Sequence, residues 1–149
     1  LAGCNGMVTG QVVDLESTGT QLSVEELNYM HTHKTGALIE ASVVMGAMAT
    51  NQADEAQVNA LRSYARAIGL AFQIQDDILD VESSTEQLGK SQGSDSHNNK
   101  ATYTSILGIE KAKSEAERLY QESLEALSPF DDKAEPLRAL AKFIVHRSF

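Results

Sequence analysis

The chain has 149 residues, with 12 lysines and arginines against 21 aspartates and glutamates, a formal net charge of −9. That length suffices for one hydrophobic core, and that charge argues against a nucleic-acid partner, whose phosphates it would repel. Apolar residues make up 42% with no run long enough for stable membrane insertion, and the single cysteine, Cys4, excludes an internal disulfide and favours a reducing compartment such as the cytoplasm.

With two prolines, Pro129 and Pro136, and no alternating strand pattern, the chain reads as an all-α helical bundle. A first helix is predicted from about Leu1 to Ser17, with Gly19 at its C-terminal end. Ser23 with Glu26 three residues on forms a capping box. The helix it opens runs through Leu27, Met30, Lys34, Leu38 and Val43 to about Met48, with Gly36 a point of bending. A third helix is predicted from near Ala53 to about Val81. Leu61, Ala65, Ile68, Phe72 and Gln75 trace one side of it and Leu70, Ile74, Ile78 and Val81 another, as in a central helix. Residues 82–99, rich in Ser, Gly, Gln, Asp and Asn, form an irregular segment. A fourth helix is expected over 101–127, and a short last one, capped by Asp131 or Asp132, ends near Arg147.

The chemistry concentrates in Gln73-Ile74-Gln75-Asp76-Asp77-Ile78-Leu79-Asp80. Three carboxylates stand there in the most apolar stretch of the chain. Burying unpaired carboxylates is costly, and neighbouring ones repel. On a helix, Asp76 and Asp80 lie one turn apart, Gln73 precedes them on the same face, and Asp77 is turned away by about 100°. Asp76 is expected to sit deepest. Two carboxylates at i and i+4 suit Mg²⁺, which keeps several waters and completes its shell with phosphate oxygens. The alternative is a helix end with solvated acids, which the apolar flanks disfavour. Lys34 shares an apolar stripe with Met30 and Leu38, where a lysine can also simply snorkel to solvent. Gln11 and Asp14 share a face at i and i+3. His31 and His33 point to different sides and have no cysteine partners, so they are not read as metal ligands.

Phe72-Gln73-x-x-Asp76-Asp77-x-x-Asp80 resembles the second aspartate-rich motif of the trans-prenyl diphosphate synthases. Three further segments match that family in order: Gly10-Gln11-x-x-Asp14-Leu15, His33-Lys34-Thr35-Gly36, and Leu88-Gly89-Lys90 followed by Lys100-x-Thr102-Tyr103. The set is most like that of the bacterial farnesyl diphosphate synthases, or geranyltranstransferases. The resemblance implies the isoprenoid synthase fold and a transferase that joins isopentenyl diphosphate to an allylic diphosphate, dimethylallyl or geranyl. It implies Mg²⁺, with Mn²⁺ as a substitute, held by Asp76, Asp80 and, from an outer position, Asp77. It places Lys34, Lys90 and Lys100 on diphosphate oxygens, Lys34, Thr35 and Gln73 at the reacting allylic group, and Gln11, Asp14 and Phe72 along the cavity. It also implies a homodimer, and lets the segment around Gly89 and Lys90 close over the site. The family's first aspartate-rich motif is not in this sequence, and its members run to about twice this length, so residues 1–149 are expected to be the C-terminal portion of one synthase domain, inactive by itself. A non-catalytic small subunit or interaction domain related to the family is the other reading.

Overall fold

A computed structural model describes residues 1–49, 51–87 and 101–147, with side chains for all of these but 84–87. The described residues form helices and connecting turns, with no strand. The elements are α1 (Met7–Glu16), α2 (Val24–His31), a π-helical turn (Thr32–Gly36), α3 (Ala37–Ala49), α4 (Glu55–Gln87), α5 (Tyr103–Leu107), α6 (Ile109–Ala126) and α7 (Glu135–His146), the last entered through a short 3₁₀ turn (Asp132–Ala134).

The caps follow the sequence. Ser23 Oγ accepts from the Glu26 N–H at 3.2 Å while the Ser23 N–H donates to the Glu26 carboxylate at 2.8 Å, the reciprocal box expected. Asp54 and Gln57 form the same arrangement at the head of α4, at 2.8 and 3.1 Å. Asp131, not Asp132, caps the last helical segment, accepting from the Lys133 N–H at 3.0 Å. Three boundaries differ from expectation. The first helix begins at Met7 rather than Leu1, after a turn in which the Met7 N–H bonds back to the Leu1 carbonyl at 2.8 Å. The central helix passes Val81 and continues to Gln87, and Lys113 on α6 holds Glu82 at 2.7 Å along that extension. The fourth helix is two, because Gly108 takes φ 80° between α5 and α6, a left-handed conformation that other residues rarely adopt.

The core lies along α4. Tyr64, Ala65, Ile68, Ala71, Ile74 and Ile78 are each at most 2% exposed. They meet Ala112, Ala116, Leu119 and Ser123 on α6. These lie at i, i+4, i+7 and i+11, a stripe that keeps one face turned to its neighbour, and its small residues let the helix axes approach. The Tyr64 hydroxyl crosses to the Leu137 carbonyl of α7 at 2.8 Å. Burial is one broad face rather than all round, and Val81 is exposed.

Two glycine contacts fix the π turn. A methyl group on Gly10 of α1 would stand 2.1 Å from the Lys34 nitrogen and 2.5 Å from its Cα. On the other side, a methyl group on Gly69 of α4 would stand 3.4 Å from the Cα of Gly36 and 3.4 Å from Ile39. The turn that carries Lys34 and Thr35 is therefore packed between α1 and α4 at backbone distance. The helix expected to bend at Gly36 instead widens over Thr32–Gly36, as π turns do, often at functional sites.

Candidate functional site

The π turn delivers Lys34 to Asp14. The Lys34 ammonium donates to the Asp14 carboxylate at 2.7 Å, both side chains being partly buried. Gln11, expected on the same face of α1, is exposed. Thr35 is half-buried within the turn.

His31, one turn before Lys34, connects this pair to α4. Gln73 of α4 is its polar neighbour there, and its ring stacks on Tyr103 of α5, with centroids 5.7 Å apart. Burial, together with the Lys34 charge, pushes its pKa down to about 4, so the imidazole is neutral near pH 7. Its Nδ1 is buried without a partner. His33 faces elsewhere: its Nδ1 lies 2.8 Å from the Tyr29 carbonyl and its ring rests on Tyr29.

Tyr103 in turn reaches the carboxylate segment. Its backbone N–H donates to Asp77 at 2.7 Å, and its hydroxyl donates to the Asn28 side chain. Asp77, not Asp76, is the most desolvated of the three acids. Burial raises its pKa to about 6, the Tyr103 N–H lowers it, and Asp80 and Asp76 raise it further. Helix geometry explains this: Asp77 lies about 60° from the buried Ile74, whereas Asp76 and Asp80 lie on the far side of α4. Asp76 is also raised, chiefly by burial, with Asp80 adding and Arg147 opposing. Asp80 is exposed.

Sequence reasoning did not single out Arg147. Its guanidinium sits over the Phe72 ring, 4.5 Å from the centroid, and donates to Asp76. Its carbonyl accepts from the Gln75 amide at 3.1 Å. The signal available in sequence, an arginine just beyond the last helix, does not say which carboxylate it meets.

The structure thus pairs Lys34 with Asp14, joins His31 to Asp77 through Tyr103, and bridges Asp76 and Phe72 through Arg147. Lys90 and Lys100 lie outside the described residues. Among the described residues no group of three or more His, Cys, Asp or Glu side chains is arranged to enclose a metal ion. Asp76 and Asp80 are nevertheless hard oxygen donors one turn apart, and Asp77 is occupied by the Tyr103 N–H. Burial, and to a lesser degree the charge of Asp80, raises the pKa of Asp76, and a cation at these oxygens would offset both. Two such ligands fit a cation that draws the rest of its shell from water and phosphate oxygens.

Residues 2–140 match the family described as polyprenyl synthetase. The chain belongs to the polyprenyl synthetase family. It is 48% identical over 147 residues to a dimethylallyltranstransferase of Fischerella ambigua, covering 98% of this chain and 42% of that protein. It is 49% identical over 145 residues to a geranylgeranyl diphosphate synthase of Cyanophora paradoxa, covering 97% of this chain and 48% of that one. Among solved structures it is similar to a geranyltransferase of Helicobacter pylori complexed with magnesium and isoprenyl diphosphate. That match has a TM-score of 0.73 and 37% identity, over 93% of this chain and 45% of the other. The chain therefore has the all-α isoprenoid synthase fold of this family and spans less than half the length of these relatives. No helix among the described residues is long and apolar enough to cross a membrane.

Proposed function

We propose that the chain is the C-terminal portion of a prenyltransferase domain that condenses isopentenyl diphosphate with dimethylallyl or geranyl diphosphate. The observation that carries this is the pairing of α4 with the π turn. Asp76 and Asp80 are presented on one side of a rigid buried helix, and Lys34 is held by backbone packing on an adjacent element. The relatives' names range from dimethylallyl transfer to geranylgeranyl synthesis; farnesyl diphosphate is our proposed product, on the likeness of the motif set.

In this proposal Asp76 and Asp80 hold Mg²⁺, or Mn²⁺ in its place, with Asp77 in an outer position. When bound, the divalent cation neutralises the departing diphosphate. The chain's own groups do the rest. Lys34, Lys90 and Lys100 take diphosphate oxygens, and a compact ammonium can follow a phosphate as charge moves onto it. The 2.7 Å pair with Asp14 holds the Lys34 ammonium until the anion arrives. Gln73, beside a neutral His31, offers an amide rather than a competing charge. Thr35 lies where the allylic carbon becomes cationic, so its hydroxyl dipole can stabilise that charge without reorganising. Phe72 walls the same side of α4. The site serves a homodimeric cytoplasmic enzyme in our reading.

Calorimetric titration of pyrophosphate into the chain, with and without Mg²⁺, tests the proposal. Heat uptake is expected only with Mg²⁺, and is expected to vanish when Asp76 and Asp80 are both replaced by alanine. Binding that is indifferent to Mg²⁺ or to both aspartates would refute it.

A further inference from the structure

Arg147 is bound to α4 through two separate groups. Its carbonyl accepts from Gln75 at 3.1 Å, while its guanidinium stacks on Phe72 at 4.5 Å and donates from Nη2 to Asp76 Oδ1. Phe72, Gln75 and Asp76 lie at i, i+3 and i+4, one contiguous strip of the helix. The arginine side chain is 15% exposed and that of Asp76 is 45% exposed, so the ion pair is covered on the arginine side and open on the carboxylate side. The fork is incompletely used, since the Arg147 Nε is buried with no partner. A guanidinium bound through one arm is held less firmly than a bidentate one.

We infer that Arg147 is a resident counterion of Asp76, occupying this carboxylate when no divalent cation is bound and giving it up when one arrives. The inference rests on the reading of Asp76 and Asp80 as cation ligands. The guanidinium and a hard cation draw on the negative charge of the same carboxylate, and at Asp76 Oδ1 the guanidinium stands where a cation needs close oxygen contact. The two therefore compete, and the main-chain bond to Gln75 lets the side chain leave without unseating the end of α7. Arg147 accordingly lowers apparent cation affinity and offsets one charge of the carboxylate cluster in the empty protein, where three acids would otherwise repel.

The probe is Mn²⁺ alone, followed by electron paramagnetic resonance of the free ion in titrations of the whole chain. Arg147→Gln and Arg147→Met are compared with wild type, with Asp76→Asn as the ligand-loss variant and Arg118→Gln as a control that removes the same charge elsewhere. The methionine variant keeps an apolar stem over Phe72. Both Arg147 variants are expected to bind the first Mn²⁺ about fivefold to tenfold more tightly, the range between an exposed and a buried charged pair. Arg118→Gln should not change it, and Asp76→Asn should abolish it. A merely structural arginine would give the opposite sign, because loosening the end of α7 can only weaken the site. Unchanged or weaker binding in both Arg147 variants, with binding still lost in Asp76→Asn, would overturn the inference while sparing the cation site. No Mn²⁺ binding by the wild-type chain would overturn both. In the wild-type chain, the Nε–H resonance of Arg147 should move on adding Mg²⁺; a static resonance at saturation would also overturn the inference.

Discussion

Replacing Gly10 with alanine tests the packing that sets the position of Lys34. The new methyl would lie 2.1 Å from the Lys34 nitrogen, 2.5 Å from its Cα and 2.7 Å from the His33 carbonyl carbon. Ordinary contacts of this kind lie at about 3.5–4.0 Å, so α1 and the π turn must separate by more than ~1 Å. All three obstacles are backbone atoms, and no rotamer change can remove them. Overpacking of this sort costs about 3 kcal/mol or more, set against about 1 kcal/mol gained from alanine's helix propensity. The net loss is about 2 kcal/mol, or a fall in Tm of about 4–8 °C for a chain of this size. The Lys34–Asp14 pair should open at the same time. Gly46 of α3 is the internal control, because a methyl there meets nothing within 4 Å. Gly46→Ala should raise stability by about 0.5–1 kcal/mol. Urea denaturation of both variants, read as midpoint and slope, decides the matter. Shifts of the same sign would refute the reasoning.

The pH dependence has two opposing parts. His31 falls from 6.5 to about 4 on folding, so the unfolded chain binds more protons between those values, and stability from this group rises with pH across that window. Asp77 climbs from 3.8 to about 6, so the folded chain binds more protons there and stability falls as pH rises. In chelated buffer, urea midpoints between pH 4 and 6.5 should rise more steeply with pH in Asp77→Asn and less steeply in His31→Gln than in wild type; parallel profiles would refute these assignments. Tyr64→Phe removes the 2.8 Å bond from α4 to the Leu137 carbonyl and should cost about 1 kcal/mol, measured by the same unfolding. The chain alone, incubated with labelled isopentenyl diphosphate, geranyl diphosphate and Mg²⁺, should show no prenyl transfer; turnover near that of its longer relatives would contradict its assignment as a partial domain.

The helices were legible because the signals that set them are local. The Ser23–Glu26 box, the Asp131 cap and the apolar period of α4 each depend on neighbours within a turn or two. Gly108 was not legible, because a glycine within a helical pattern only becomes a break when the flanking helices pack in different directions. The π turn was half legible: Gly36 marks the place, but the widening follows from backbone approach by Gly10 and Gly69, long-range facts that no local pattern holds. For the site, the i, i+4 relation of Asp76 and Asp80 could be read from spacing, as could the sideways turn of Asp77. The depth of Asp77 could not, since it depends on which face of α4 meets α5 and α6. Arg147 and His31 were missed as site neighbours for the same reason. Their partners lie 71 residues away at Asp76 and on α5, and a single sequence carries no record of which distant carboxylate or ring each one meets.

The central claim is that Asp76 and Asp80 hold the cation that receives the diphosphate, with Asp77 supporting them from outside. The most direct measurement is kcat for prenyl transfer at saturating Mg²⁺ in the longer protein to which we assign this chain, with Asp76→Ala, Asp77→Ala and Asp80→Ala compared after folding is checked by circular dichroism. Asp76→Ala is expected to cost a factor on the order of 10² or more and Asp80→Ala a smaller one. Asp77→Ala should act mainly on stability, by leaving the Tyr103 N–H without its 2.7 Å acceptor. Near-wild-type rates in all three would mean that the acidic cluster is structural, and would contradict the account.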